Sequence, residues 1–274
     1  MKLDCAGKQL DLSIPRVMGV LNVTPDSFSD GGRFNRLDAA IIRAESMIEA
    51  GASIIDVGGE STRPGAELVD FEQETARVIP VVEALGKRNL DAVISVDTSK
   101  PELMRRAVEV GAGLINDVRA LQESNAVSTL ASLDVPVCLM HMQGQPKNMQ
   151  QNPQYKHVVS EVINFLKARV AVCVEAGIQE SRLLIDPGFG FGKGLQQNIE
   201  LLKNLSELQV LNLPVLIGVS RKSMIGAIIE KEVDERLAGS LVAALYALQQ
   251  GVQILRVHDV AETVDIIKIF QVLR

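Results

Sequence analysis

Short apolar runs, rich in β-branched residues, recur along the chain at intervals of about 34 residues, close to the length of one strand–helix unit. They occupy positions 17–21, 53–57, 93–96, 114–115, 137–140, 183–185, 215–219 and 254–257. Each is brief and almost unbroken in apolar character, the signature of a parallel strand buried on both faces. Between them the period changes to that of a helix. Positions 37–50 set Leu37, Ala40, Ile41, Ala44, Met47 and Ile48 on one stripe, and Gly51 is placed to close it. Ser99 with Glu102 predicts a capping box ahead of a helix over 104–110, followed by Gly111. A similar stripe over 158–176 precedes Gly177. The segment 237–248 is apolar almost all round, so burial is expected, either under neighbouring helices or under a second subunit.

Eight alternations with no linker or low-complexity stretch between them predict an α/β chain forming one closed (β/α)8 TIM barrel, with residues 1–274 as a single domain. Residues 1–3 and 10–12 read as a short N-terminal β-hairpin plugging the barrel floor. The competing doubly wound sheet would have fewer strands and a Gly-x-Gly-x-x-Gly after the first. Here the first strand runs into Asn22-Val23-Thr24-Pro25 instead.

Composition narrows the function. Hydrophobic residues make up 47%, enough for a large core and incompatible with disorder. Lys+Arg 28 against Asp+Glu 34 leaves a formal charge of −6. Without a long basic run, neither nucleic acid nor a membrane is an expected partner, although a local basic pocket for a small anion remains compatible. Cys5, Cys138 and Cys173 are odd in number and form no CxxC pair, which points away from disulfides or thiolate zinc and toward a reducing compartment. No apolar stretch nears the ~20 residues of a span, and the start lacks a signal peptide's apolar run. The expected location is the cytoplasm.

Nearly every apolar run ends in a residue able to do chemistry: Asn22, Asp56, Asp97, Asn116 with Asp117, His141, Asp186, Ser220 to Lys222, and Arg256 with His258. Helix capping accounts for any one of them, but not for the set, because these strand ends converge on one face of a barrel. Asp97, Asn116 and Asp186 suit the N–H edge of a flat polar heterocycle, since a carboxylate accepts adjacent donors bidentately. Lys222 and Arg256 suit carbonyl or phosphate oxygens, and a guanidinium face stacks on rings. The run 188–193 (GFGFGK) departs from phosphate-loop spacing, and a tight turn is as plausible there as ligand contact. Ser220-Arg221-Lys222-Ser223, after a strand and before a helix, reads as an anion site. Segments 23–36 and 59–69 exceed the usual ~2–6 residues of such connections and read as lids. The three histidines lack zinc spacing. His157 reads as an exposed helix residue. Asn22 and Asp26 offer oxygens for Mg²⁺ held mainly by a substrate phosphate.

From about Arg16 onward the chain resembles the dihydropteroate synthase family. The resemblance rests on NVTPDSFSDGG at 22–32, GGESTRPGA at 58–66, Asp186-Pro187 ahead of GFGFGK, SRKSMIG at 220–226 and RVHDV at 256–260. It implies a (β/α)8 barrel, usually a homodimer, that joins p-aminobenzoate to 6-hydroxymethyl-7,8-dihydropterin diphosphate. By that resemblance Asp97, Asn116, Asp186 and Lys222 hydrogen-bond the pterin, Arg256 stacks on it and Met140 walls the pocket. Asn22, Thr62, Arg256 and His258 meet diphosphate, with Asn22 also the Mg²⁺ ligand. Phe28, Thr62, Pro64, Phe191, Lys222 and Ser223 form the p-aminobenzoate site, and Asp97, Lys222 and Arg256 carry the catalysis. A folate–corrinoid methyltransferase would share the barrel and the pterin-facing Asp and Asn, but leaves SRKSMIG unexplained.

Overall fold

The computed structural model describes residues 1–24, 33–60, 69–88, 90–144 and 148–273, with backbone alone at 33–36. The chain opens with a hairpin of β1 (Lys2–Cys5) and β2 (Lys8–Asp11). Ala6 and Gly7 both take positive φ (55° and 86°), as a two-residue turn matched to strand twist requires, and Asp4 accepts the Gly7 N–H at 2.7 Å. Alternation then follows: β3 (Arg16–Asn22), α1 (Arg33–Glu49), β4 (Ile54–Gly58), α2 (Phe71–Gly86), β5 (Val93–Asp97), α3 (Pro101–Glu109), β6 (Leu114–Asp117) and α4 (Ala126–Ser132). The second half comprises β7 (Val137–Met140), α5 (Val158–Glu175), β8 (Leu183–Asp186), α6 (Leu195–Lys203), β9 (Leu216–Ile217), α7 (Ser223–Ile229), α8 (Leu237–Gln249), β10 (Ile254–Val257) and α9 (Val260–Leu273).

Strands β3 to β10 are all parallel, in the order β8-β7-β6-β5-β4-β3-β10-β9. A bridge between Ile185 and Val215 closes the ring. The expected barrel and floor hairpin are therefore present. The run at 215–219 is regular only over Leu216–Ile217, with Val215 supplying the closing bridge.

Two cores hold the barrel. Outward residues such as Ile55, Val57, Ile94, Val96, Leu139 and Ile217 pack against helices through Ala40, Ala44 and Met47. The inner core takes one side chain from each barrel strand: Met18, Ile54, Val93, Leu114, Cys138, Leu184, Leu216 and Ile254. Leu3, Cys5, Leu10 and Leu12 of the hairpin complete it from below. Lys8 tethers the hairpin by donating to the carbonyls of Leu90 and Ala92 at 2.8 and 2.9 Å.

One local expectation fails. The N-cap of α3 is Lys100, not Ser99, and no side chain caps the helix; Ser99 instead donates to Asp117 at 2.5 Å. Tertiary hydrogen bonding outcompetes the capping box there, and Pro101 starts the helix without a donor to satisfy. Neighbouring helices cover one face of α8, through Ser240, Ala243, Ala244, Ala247 and Leu248, and leave Val242, Leu245 and Tyr246 uncovered within the single chain, so the first of the two expected covers is partial.

Because Leu3 is fully buried beneath the barrel, Leu3→Ala is expected to cost ~2–5 kcal/mol in urea unfolding, by lost burial and the cavity left behind. Ligand affinity, decided at the opposite end, stays at the wild-type level in the same samples.

Candidate active site

Side chains on a strand alternate between faces, so the residue two beyond each inner-core position also points into the barrel. Those residues are Val20, Asp56, Ser95, Asn116, Met140, Asp186, Gly218 and Arg256. An apolar floor gives way, one pleat later, to a polar layer. The next inward step reaches Asn22, Gly58, Asp97, Ser220 and His258 at the mouth. The strand-end residues picked out in the sequence thus converge.

Arg256 organises one side. Its Nε donates to Asp56 Oδ2 at 2.7 Å and its Nη2 to Asp97 Oδ2 at 3.0 Å. Asp56 also accepts Ser95 Oγ at 2.6 Å and Asn116 Nδ2 at 3.1 Å. Burial disfavours the cation, but Asp56 and Asp97 outweigh it and hold Arg256 above the ordinary guanidinium range. Burial pushes Asp97 up to about 8, with Arg256 opposing and the Asp56 charge assisting.

Asp186 and Lys222 organise the other side. Asp186 accepts the Gly188 N–H at 2.7 Å, and burial raises its pKa against the pull of Lys222. Burial lowers Lys222 to about 8, opposed by Asp186 and Asp97 and assisted by Arg256. Lys222 donates to the Phe189 carbonyl and lies 4.7 Å from the centre of the Phe191 ring. Met140, buried, lines the same wall: a Cβ on Gly188 would lie 3.3 Å from its Cγ.

The run 188–193 resolves as a locked turn. Gly188, Gly190 and Gly192 all have positive φ, and a Cβ at Gly188 would strike the His141 carbonyl at 1.9 Å. Lys193 is buried and points back into its own loop, donating to Gly188 O at 2.8 Å and Phe191 O at 3.1 Å. Its Nζ lies 2.8 Å from His141 Nδ1. His141 is therefore occupied with the loop, its pKa driven down to about 3 by burial and by Lys193. Asp117 also leaves the site: it accepts Ser99 Oγ and the backbone N–H groups of Arg119 and Leu121.

At the rim, Asn22 and Asp97 flank Gly58, whose missing side chain leaves room between them: a Cβ there would lie 3.7 Å from Asn22 Oδ1 and 3.6 Å from Asp97 Cβ. Ser220 Oγ accepts the His258 N–H and pairs with Nδ1, both at 3.2 Å. Ser223 is exposed as the first residue of α7, and Lys222 is its N-cap. Exposed His157 is the N-cap of α5. Asp26, Phe28, Thr62, Pro64 and both expected lids in their central parts lie outside the described residues.

Ser95 is the component that strand-end reasoning missed, and Asp56, though among the strand-end residues, has no specific role in that reading. Ser95 lies two residues before Asp97 on the same inward-facing side of its strand. Among the described residues no three His, Cys, Asp or Glu side chains gather to cage a metal. Asn22, a neutral oxygen donor in an open rim, fits a Mg²⁺ whose other ligands come from phosphate and water.

The sequence profile described as pterin binding enzyme matches residues 18–258. The dihydropteroate synthase of Haemophilus influenzae is 56% identical over 271 residues, 99% of this chain and 98% of that one. Among solved structures, Yersinia pestis dihydropteroate synthase in a sulfonamide drug complex superposes with a TM-score of 0.95 at 52% identity, covering 100% of this chain and 99% of that one. The Xanthomonas albilineans enzyme in complex with 7,8-dihydropteroate gives 0.89 at 45%, covering 99% and 98%.

Arg256→Met is expected to strand Asp56 and Asp97 without their cation, costing ~3–5 kcal/mol in urea unfolding. Asp97, already raised, then rises further, so the folded state holds a proton that the unfolded chain releases. Wild-type Asp97 itself titrates at about 8, so the deficit is nearly level below that pH and grows from about pH 8 to about pH 10; a deficit that stays level across that upper range would contradict the assignment.

Proposed function

The chain belongs to the pterin-binding enzyme family, and we infer that it catalyses the dihydropteroate synthase reaction of folate biosynthesis. In this reaction p-aminobenzoate joins 6-hydroxymethyl-7,8-dihydropterin diphosphate and diphosphate leaves. The observation that carries the reading is the convergence in one barrel mouth of Asp97, Asn116 and Asp186 with Lys222 and Arg256. Acceptors there meet the donor edge of a pterin, and cations meet its carbonyl and its departing anion.

The residues divide the work. Breaking the C–O bond to diphosphate leaves a cationic methylene delocalised into the ring, and the negative charge of Asp97 in a partly dry site lowers that barrier. Arg256, with Nε and Nη2 committed to carboxylates, keeps Nη1 for the leaving group, and Thr62 and His258 join it. The aniline nitrogen attacks as the neutral amine, forms the C–N bond and sheds a proton to solvent. Phe28, Thr62, Pro64, Phe191, Lys222 and Ser223 hold it for attack. A magnesium ion bound with the diphosphate would be held by Asn22 and Asp26 and would supply further neutralisation of the departing oxygens.

Two wider features support the setting. Helices α8 and α9 together expose Val242, Leu245, Tyr246, Ile269, Val272 and Leu273, an apolar face suited to a second copy in a homodimer. No described helix is long and apolar enough to cross a membrane, and the three cysteines are buried thiols, which favours the cytoplasm.

Sustained diphosphate release is expected only with both substrates present; release that ignores p-aminobenzoate would overturn the reading. With Asp97 and Lys222 both near 8, kcat/KM rises toward that pH as Asp97 ionises and falls beyond it as Lys222 loses its proton. Asp97→Asn is expected to lose about 10²–10³ in kcat and flatten the rising limb. Sedimentation should give twice the chain mass, and Val242→Glu should reduce it to one.

A further inference from the structure

Asp56 has no solvent exposure, so a ligand in the barrel mouth does not reach its carboxylate. Its oxygens are nevertheless taken up by side chains of the pocket: Ser95 on Oδ1, Arg256 Nε and Asn116 Nδ2 on Oδ2. A carboxylate gripping a guanidinium only accepts, so the Asn116 amide has one orientation available. Its NH2 group faces Asp56 and its carbonyl Oδ1 faces away. No described residue donates to that Oδ1.

We propose that Asp56 is a positioning residue that sets the hydrogen-bonding polarity of the pterin pocket. By turning Asn116, it makes Asn116 Oδ1 an acceptor beside those of Asp97 and Asp186. The pocket then selects a heterocycle that presents N–H groups along the matching edge. A flipped amide would aim donor at donor and leave buried polar groups unpaired, which is how a hydrogen-bonding site rejects an analogue. Asp56 thus decides which ring is admitted, while its second bond fixes Arg256 against Asp97. The inference rests on the pterin reading given above.

The test compares affinities, by calorimetry on the full-length protein, for 6-hydroxymethyl-7,8-dihydropterin and two analogues. One is the dihydrolumazine, with a carbonyl in place of the 2-amino group; the other is the oxidised pterin, which lacks the N8 proton. Wild type is expected to prefer the dihydropterin over at least one analogue by about a hundredfold or more, and Asp56→Leu to shrink that ratio by about tenfold or more. Asp56→Asn restores selectivity, because its carbonyl replaces Oδ2 while its amide donates to Ser95 Oγ, a hydroxyl able to accept. Ratios unchanged in Asp56→Leu, or an equal loss of affinity for all three ligands, would overturn the proposal. Wild type that binds no dihydropterin would instead overturn the pterin reading. If Asp56→Leu does not fold, the Asn116 side-chain amide in wild type decides by NMR. Protons protected from exchange before ligand is added support the role, and protection gained only on binding refutes it.

Discussion

The site depends on one buried arrangement, a guanidinium shared by two carboxylates. Arg256 lies between Asp56 and Asp97, at the end of strands that pack side by side only after the barrel has closed. Any of these charges alone would be expelled from such a setting or neutralised there, since removing an ion from water costs several kcal/mol. Together they persist, and the remaining imbalance is visible in the titrating groups. Burial lifts Asp97 and Asp186 and lowers Lys222, a pocket whose charges are only partly compensated by the protein. A ligand bringing N–H donors to the acids and an anion to the bases would complete the compensation.

Closure of the barrel makes this geometry rigid. Every inner strand contributes a floor residue to a continuous apolar plug, and the hairpin seals it from below. Two residues on, the same strands carry the chemistry, so each polar side chain leaves a fixed base at a fixed angle. The 188–193 turn adds a second kind of rigidity: its lysine is buried under its own carbonyls and braced by His141, which holds Phe191 and the Phe189 carbonyl where Lys222 meets them. A basic residue after a glycine-rich run thus fixes a loop, while the neighbouring Lys222 is the one beside Asp186 in the barrel mouth.

The chain's own pattern determined a good deal. Eight nearly unbroken apolar runs, separated by helical stripes, point to a parallel barrel, because strands buried on both faces need helices outside, and the number of repeats and the missing Gly-x-Gly-x-x-Gly disfavour a doubly wound sheet. Convergence of Asn22, Asp97, Asn116, Asp186, Lys222, Arg256 and His258 followed from the topology, since all strand ends in such a barrel share a rim. Helix ends and exposure were less legible. Ser99 had a capping partner in sequence and found Asp117 in space, while α8, apolar almost all round, is covered by its own chain on one face only. For Ser99 a contact from a distant segment decided the outcome.

What tertiary structure alone decided is the partnering of like-looking residues. Asp56, Asp97, Asp117 and Asp186 each follow an apolar run, and nothing local separates them. Packing gives them four fates: support beneath the pocket, contact with its cation, anchorage of an outer loop, and a wall beside Lys222. Lys193 and Lys222 are divided the same way. Sequence fixes which strand carries a charge and which face it points to, because those depend on spacing along one chain. Which opposite charge it meets depends on the order and stagger of neighbouring strands, and those exist only once the sheet has closed.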